Sequence, residues 1–197
     1  MTPKPNGLER RGAVVELLKD RGDMLVVSGL GSPTWDVFAA GDMDANFYLW
    51  GAMGGAALVG LGLAQAQPER KVLVVTGDGE QLMGLGGLAT IAVAAPKNLT
   101  IAVLDNGHYG ETGMQLSHSG LGIDIARVAT SCNFADTLTA SSTGELAAAR
   151  EQMHRPSNGP RLVVVKINTD TPPRALPPRD AVYLKNRFRG HLGLPVS

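Results

Sequence analysis

Short apolar runs recur along the chain, and each is followed by a loop of glycine or polar residues. Five of these runs predict strands, at residues 24–28, 47–49, 71–76, 99–104 and 161–167. Helical patterns accompany them at residues 7–21, 51–66, 82–94, 124–129 and 143–153, and Pro33 fits the start of a further helix after the first run. Strands without polar alternation are buried on both faces, which is typical of a parallel sheet covered by helices. We therefore predict a doubly wound α/β fold, with a mostly parallel sheet and helices on both faces.

The chain divides into one domain and a tail. Residues 1–170 carry all the predicted strands and form a single domain. Residues 171–197 are rich in proline and arginine and read as a C-terminal tail. A short helix is predicted within it, near residues 180–188, and we expect the tail to dock on a neighbour. The glycine- and alanine-rich helix at 51–66 is apolar nearly all round, which predicts that it is buried.

The composition excludes several classes of function. Lys+Arg and Asp+Glu both number 18, so the chain has no basic footprint for nucleic acid or for an anionic membrane. No apolar run reaches the roughly 18–20 residues that a membrane span needs. The N-terminus lacks the apolar segment of a secretory signal, and Cys132 is the only cysteine. A cytoplasmic location is the resulting expectation.

Polar chemistry is concentrated in the loops that follow two neighbouring apolar runs. Gly77-Asp78-Gly79-Glu80 follows the third run, and Asn106 follows the fourth. If the two strands are neighbours in a parallel sheet, Asp78 and Asn106 meet at its carboxyl edge, where ligands of open α/β sheets bind. A carboxylate, an amide oxygen and phosphate oxygens suit Mg²⁺. A Gly-Asp-Gly turn just before a helix also suits a phosphate group.

This pair of motifs resembles the thiamine-diphosphate-binding motif of thiamine enzymes, and the similarity runs from about residue 26 to residue 115. The resemblance implies that Asp78, the Asn106 side chain and the backbone carbonyl of His108 bind Mg²⁺. It also implies that the Gly77–Glu80 turn lies against the diphosphate of the cofactor, with Gly77, Gly79 and Glu80 as contacts. Tyr109, in the loop after Asn106, is a further predicted cofactor contact.

Two other segments resemble the same family. In Trp50-Gly51-Ala52-Met53, the family pattern makes the Gly51 carbonyl the acceptor for the cofactor's amino group. It makes Met53 the apolar wedge that bends the cofactor, although a methionine beside a glycine-rich helix is also a common core residue. The loop after the first strand helps to hold the diphosphate in related enzymes, which predicts contacts from Gly29 and Ser32.

No catalytic residue is assigned within the chain. His108 and Glu111 are weak candidates, because the family match uses only the carbonyl of His108, and Glu111 can equally be a helix cap. In the family, a glutamate that activates the cofactor belongs to a separate pyrimidine-binding domain, for which 197 residues leave no room. The resemblance therefore implies a partner, a pyrimidine-domain α subunit that supplies the glutamate.

The likeness is greatest to the sulfopyruvate and phosphonopyruvate decarboxylases, over residues 48–54, 77–94 and 96–115. It implies a β-subunit-like chain that takes part in the non-oxidative decarboxylation of a small 2-oxoacid. Glu80, where serine or alanine is common, and the 108–113 loop depart from the family pattern. Three alternatives stay open: a carboligase subunit, an oxidoreductase subunit, or a non-catalytic module that binds the same cofactor. A nucleotide-binding domain is disfavoured. The chain has no G-x-x-x-x-G-K-[ST] loop, and no G-x-G-x-x-G motif that follows a strand and has a matching acidic residue beyond it.

Overall fold

The computed structural model describes residues 7–196. The strands are β1 (Leu25–Ser28), β2 (Asn46–Tyr48), β3 (Val72–Gly77), β4 (Leu99–Asp105), β5 (His108–Tyr109), β6 (Gln115–Leu116), β7 (Asp136–Ala140) and β8 (Arg161–Lys166). The α-helices are α1 (Arg10–Leu18), α2 (Ser32–Ala39), α3 (Ala56–Ala66), α4 (Asp78–Met83), α5 (Gly87–Ala94), α6 (Ile125–Ser131), α7 (Thr143–His154) and α8 (Ala181–His191). Pro33, in the first turn of α2, has the fixed φ that a helix start requires.

Six strands form one parallel sheet in the order β2-β1-β3-β4-β8-β7, and β5 and β6 form a separate antiparallel pair. Successive residues of the central strands point to opposite faces, and both faces are buried. Val74 of β3 packs with α3 and α5 on one side, while Val75 packs with α1 and α7 on the other. The predicted doubly wound fold, with helices on both faces, is confirmed.

All five predicted strands are present, whereas the helix predictions fail in part. The helix predicted at 51–66 begins only at Ala56, and it is not fully buried, because Leu58 and Val59 are 41% and 37% exposed. The helix predicted at 82–94 is two helices, α4 and α5, separated at Gly84–Gly86. Strand β7 has no counterpart among the predicted strands. Its sequence, DTLTA, is only partly apolar because β7 lies at the sheet edge and is only partly buried.

The C-terminal segment returns to its own sheet. Helix α8 is where the tail helix is predicted, and its Phe188 ring lies 5.5 Å from the Phe47 ring of β2, centroid to centroid. Arg187 makes ion pairs with Asp42 and Asp44 in the loop before β2. Docking on a neighbouring chain stays a prediction, as do the domain limits 1–170 and 171–197. Within residues 7–196, no helix is both long enough and apolar enough to cross a membrane.

Candidate active site

The strand order reverses between β1 and β3. The chain leaves β1 toward β2 on one side and resumes with β3 on the other side. In open parallel sheets, ligands bind in the crevice that such a reversal opens at the carboxyl ends of the strands. A cavity of about 400 Å³ opens at this edge of the sheet. The loop after β1, the Gly77–Glu80 turn after β3 and the loop after β4 all line it.

Most of the residues singled out in the sequence meet in this one cavity. Its lining includes Ser32, Met53, Gly77, Asp78, Gly79, Glu80, Asn106, His108, Tyr109 and Glu111. Gly29 and Gly51 are not among the lining residues, although their neighbours Leu30 and Trp50 are. The structure thus brings the predicted residues together, and their individual roles stay predictions.

Asp78 is the most constrained acid of the site. It begins α4 and is 3% exposed, and its Oδ2 accepts hydrogen bonds from the hydroxyls of Ser117 and Ser119. Burial raises the pKa of the Asp78 carboxyl; the bond from Ser117 opposes the rise, and the nearby Asp105 carboxylate adds to it. No cationic side chain within residues 7–196 is bonded to this carboxylate, and a buried carboxylate of this kind is a group that a bound cation would stabilise.

The Ser119 hydroxyl lies between two carboxylates, that of Asp78 just after β3 and that of Asp105 at the end of β4. It lies 2.9 Å from Asp78 Oδ2 and 2.8 Å from Asp105 Oδ1. Asp105 is buried, and its other oxygen accepts a bond from Lys166 at the end of β8. Ser117, Ser119 and Lys166 are not among the site residues predicted from the sequence. Only their proximity in the fold identifies them, because no spacing rule connects these positions to Asp78.

Asn106 lies one strand away from Asp78. Strand β3 pairs with β4, Gly77 opposite Leu104, so the two side chains leave neighbouring strands about 4.8 Å apart. The Asn106 amide oxygen accepts a bond from the His108 backbone N–H at 2.9 Å, which fixes the turn into β5. Carboxylate and amide oxygens are hard donors, and an amide oxygen with one such bond keeps a second lone pair. This donor set fits Mg²⁺.

Glu80 lines the cavity, and its carboxylate is hydrogen-bonded within the protein. It is 4% exposed, and its Oε2 accepts bonds from the Leu30 backbone N–H at 2.9 Å and from the Thr76 hydroxyl at 3.0 Å. Burial raises the pKa of its carboxyl, and the bond from Thr76 opposes the rise. A Cβ at Gly29 would lie 1.8 Å from Oε2, so a larger residue at position 29 would displace the Glu80 carboxylate. Glu80 thus fastens the β1–α2 loop to the Gly77–Glu80 turn.

Tyr109 covers the Gly77–Glu80 turn. Its ring lies so close to Gly79 that a Cβ there would meet two ring carbons at 2.8 Å. The hydroxyl of Tyr109 pairs with Nδ1 of His118 at 2.9 Å. The sequence therefore needs glycine at position 79 for a steric reason. His118 is an exposed loop histidine, and this bond supports the tyrosine.

The loop between β2 and α3 forms another part of the wall. Met53 is 47% exposed and lines the cavity. A Cβ added at Gly51 would have no atom within 4 Å. Ala52 adopts φ +56°, a left-handed conformation that is rare for residues other than glycine. Such strain is often found at ligand sites. Trp50 donates a hydrogen bond from Nε1 to the Pro178 carbonyl, which ties the C-terminal segment to this loop.

The two weak catalytic candidates differ in their surroundings. The Nδ1 atom of His108 lies 2.7 Å from the Asn106 carbonyl oxygen, so the ring is turned back onto its own loop. The carboxylate of Glu111 is half exposed at the cavity mouth, 3.5 Å from the Ser32 hydroxyl and 3.8 Å from Arg174. Among the described residues, no three His, Cys, Asp or Glu side chains form a metal-binding group. The predicted ion site is instead one carboxylate, one amide oxygen and one carbonyl.

Comparison with known proteins bears directly on this cavity. Residues 38–165 match the family model described as "Thiamine pyrophosphate enzyme, C-terminal TPP binding domain". The chain belongs to this family. The matched range contains both Asp78 and Asn106, and it excludes Gly29 and Ser32. The membership predicted from the two motifs is confirmed.

Two curated relatives support the assignment. The chain is 41% identical over 121 residues to the sulfopyruvate decarboxylase subunit beta of Methanocaldococcus jannaschii, which covers 61% of this chain and 63% of that protein. It is 41% identical over 145 residues to the phosphonopyruvate decarboxylase of Streptomyces viridochromogenes, which covers 74% of this chain and 36% of that protein. The matches span less than two thirds of both relatives.

A solved structure confirms the fold of this family member. The Rhodococcus jostii RHA1 thiamine diphosphate-dependent 4-hydroxybenzoylformate decarboxylase matches 86% of this chain with 34% of its own chain, at a TM-score of 0.70. Its sequence identity is 21%, so the likeness concerns the fold alone.

Proposed function

We propose that this chain is the diphosphate-binding β subunit of an Mg²⁺- and thiamine-diphosphate-dependent decarboxylase that acts on a small 2-oxoacid. One observation carries the proposal: Asp78 and Asn106 leave neighbouring strands and line one cavity at the reversal of the strand order. The family match and the names of the two curated relatives support it. Sulfopyruvate and phosphonopyruvate are the substrates to test first.

The residues at the sheet edge are suited to hold both the ion and the diphosphate. Asp78, the Asn106 amide and the His108 carbonyl would hold Mg²⁺, and the backbone of the Gly77–Glu80 turn would face the phosphates. Met53 would support the cofactor from the loop before α3. When bound, thiamine diphosphate supplies the electron sink for decarboxylation. Around it, the chain's own contribution is to bind, to orient and to exclude water at one wall of the cavity.

A partner chain is part of the proposal. The relative in Methanocaldococcus jannaschii is named a subunit beta, which supports a hetero-oligomer with a pyrimidine-domain α subunit. We expect little turnover by this chain alone and decarboxylation once the α subunit is added. The test measures CO₂ release from sulfopyruvate, phosphonopyruvate and pyruvate, with and without that subunit. Rapid turnover by the isolated chain would contradict the need for a partner.

The ion site is tested by Asp78→Ala. We expect the Mg²⁺-dependent affinity for thiamine diphosphate to fall about 100-fold or more, because the variant removes the only carboxylate proposed to bind the ion. Calorimetry with Mg²⁺ and with EDTA measures the difference. Glu69→Ala is the matched control: Glu69 is an exposed acid just before β3, at the opposite edge of the sheet. An Asp78→Ala variant that binds like the wild type removes the metal assignment.

A further inference from the structure

We propose that Arg174 forms an anion-binding subsite at the cavity mouth and receives the sulfonate or phosphonate group of a 3-substituted pyruvate. The inference rests on the proposed function and adds a residue that recognises the substrate. Arg174 lies outside the residues that match the family model.

The location of the guanidinium supports this role. Arg174 lies over the ring of Trp35, 4.7 Å from its centroid, and Trp35 forms part of the cavity wall. Its Nη2 lies 3.8 Å from Glu111, another residue of that wall. A guanidinium that lies flat on an aromatic face directs its N–H groups sideways, parallel to the ring. A tetrahedral anion at its edge can accept hydrogen bonds from two of these groups.

The backbone presents this arginine in a fixed place. Pro172 and Pro173 precede Arg174, and proline restricts φ to about −65°. Arg11 donates a hydrogen bond to the Pro173 carbonyl at 2.7 Å, and Trp50 donates one to the Pro178 carbonyl at 2.8 Å. The segment is therefore attached on both sides of Arg174, so less ordering is needed when an anion binds.

The charges around the cavity favour Arg174 over the other cations. Arg10 also lines the cavity, but it is 6% exposed and forms a buried ion pair with Asp36. Lys166 is bound to the buried Asp105. The side chain of Arg174 is 66% exposed. Its carboxylate neighbour among the described residues, Glu111, is half exposed at a distance that gives only a weak ion pair.

A sulfonate or phosphonate group in this cavity needs a positive charge nearby. Asp78, Glu80 and Glu111 already place three carboxyl groups in the lining, and the proposed cofactor adds a diphosphate. A substrate with a second acidic group at carbon 3 would meet this negative field without compensation. Arg174 supplies positive charge at the mouth, away from the buried Asp78. Pyruvate has no such group, so the arginine discriminates between the two classes of substrate.

The test uses the full chain loaded with Mg²⁺ and thiamine diphosphate. The anionic probes are 3-sulfopropionate and 3-phosphonopropionate, which lack the reactive 2-oxo group. Butanoate is the control probe, since it has a carboxylate but no sulfonate or phosphonate group. Trp35 and Trp50 are the only tryptophans and both line the cavity, so tryptophan fluorescence reports binding there. Calorimetry measures the cofactor affinity of every variant first.

We expect Arg174→Gln to weaken both anionic probes by about tenfold to a hundredfold, the range for a charge-assisted hydrogen bond. Its affinities for butanoate and for thiamine diphosphate should change by less than about twofold. Arg174→Lys should bind the anionic probes more tightly than Arg174→Gln does, because lysine keeps the positive charge. It should bind them less tightly than the wild type, because lysine lacks the planar guanidinium that donates two parallel hydrogen bonds. Arg179→Gln is the matched control, since Arg179 is an exposed arginine of the same segment, and it should bind like the wild type.

Several outcomes overturn the inference. In one, Arg174→Gln binds the anionic probes as tightly as the wild type does. In another, it loses butanoate affinity equally, which indicates general damage to the cavity. In a third, it loses cofactor affinity equally, which assigns the arginine to the diphosphate instead. A wild-type chain that binds no thiamine diphosphate, either alone or with the α subunit present, refutes the proposed function, and the calorimetric titration detects this failure separately.

Discussion

At the residue scale, the site depends on how buried carboxylates are accommodated. Asp78 directly follows β3, Asp105 is the last residue of the neighbouring β4, and both are 3% exposed. Two buried negative groups repel each other and lose hydration, so each needs hydrogen-bond donors or a cation. Ser117, Ser119 and Lys166 provide the donors. The loop after β6 is therefore part of the predicted metal site, because it orients the carboxylate that would bind the ion.

Ser119→Ala tests this orienting role. The variant removes the hydroxyl that bridges Asp78 and Asp105 but leaves every proposed ligand in place. We expect the Mg²⁺-dependent affinity for thiamine diphosphate to fall about tenfold, the lower end for residues that orient a metal ligand. Calorimetry measures the affinity, and Ser131→Ala, at an exposed serine that ends α6, is the control. If both variants bind equally well, the serine bridge has no part in cofactor binding.

At the scale of elements, α3 approaches β3 closely at one glycine. Gly60 faces the sheet, and a Cβ there would lie 2.2 Å from Cγ2 of Val74. Gly62 lies on the same helix with nothing within 4 Å of the corresponding position. The two glycines thus have opposite packing environments within one helix. The abundance of glycine in this segment reflects both close packing and an unoccupied surface.

The pair of variants Gly60→Ala and Gly62→Ala separates these two environments. Gly60→Ala should lower the free energy of unfolding by about 1–3 kcal/mol through overpacking against β3. Gly62→Ala should leave it unchanged or raise it by up to about 1 kcal/mol, because alanine is the better helix former. Urea denaturation measures both values. Equal effects of the two variants would show that α3 does not pack on β3 through Gly60.

At the scale of the whole molecule, the C-terminal segment completes the edge of the sheet. Helix α8 packs Leu184 and Phe188 onto the region around β2, and Arg187 ties the helix to the loop before that strand. Between β8 and α8, residues 171–180 pass beside Trp35 and Trp50, and Arg174 lies against two residues of the cavity wall, Trp35 and Glu111. The tail is therefore connected to the site as well as to the core.

Phe188→Ala tests the docking of α8. Phe188 is 7% exposed, and truncation of a buried phenylalanine costs about 3–5 kcal/mol of the free energy of unfolding. We expect a loss in this range by urea denaturation, together with faster proteolysis of the tail. Val182→Ala, on the same helix at a residue that is 62% exposed, should change stability by less than about 0.5 kcal/mol. A Phe188→Ala variant as stable as the control would place α8 away from the sheet in solution.

The sequence alone determined the fold class and the location of the site. Uninterrupted apolar runs identified the central strands, because a parallel strand buried on both faces has no polar positions. The Gly-Asp-Gly turn and Asn106 could be matched as a pair, because each directly follows such a strand. Strand β7 was not predicted, because a partly buried edge strand has no clear pattern of apolar residues. The start of α3 was placed too early, because a glycine-rich segment has no clear helical period of apolar residues.

Only the tertiary structure decided which distant residues surround that site. Ser117 and Ser119 reach Asp78 through the fold of the β5–β6 pair, and Arg174 reaches Trp35 because α8 draws the tail back across the sheet. The environment of Glu80, beneath the Leu30 backbone, likewise depends on the pairing of β1 with β3. The physical reason is that hydrogen bonds and charge compensation act over a few ångströms in space, whatever the separation along the chain.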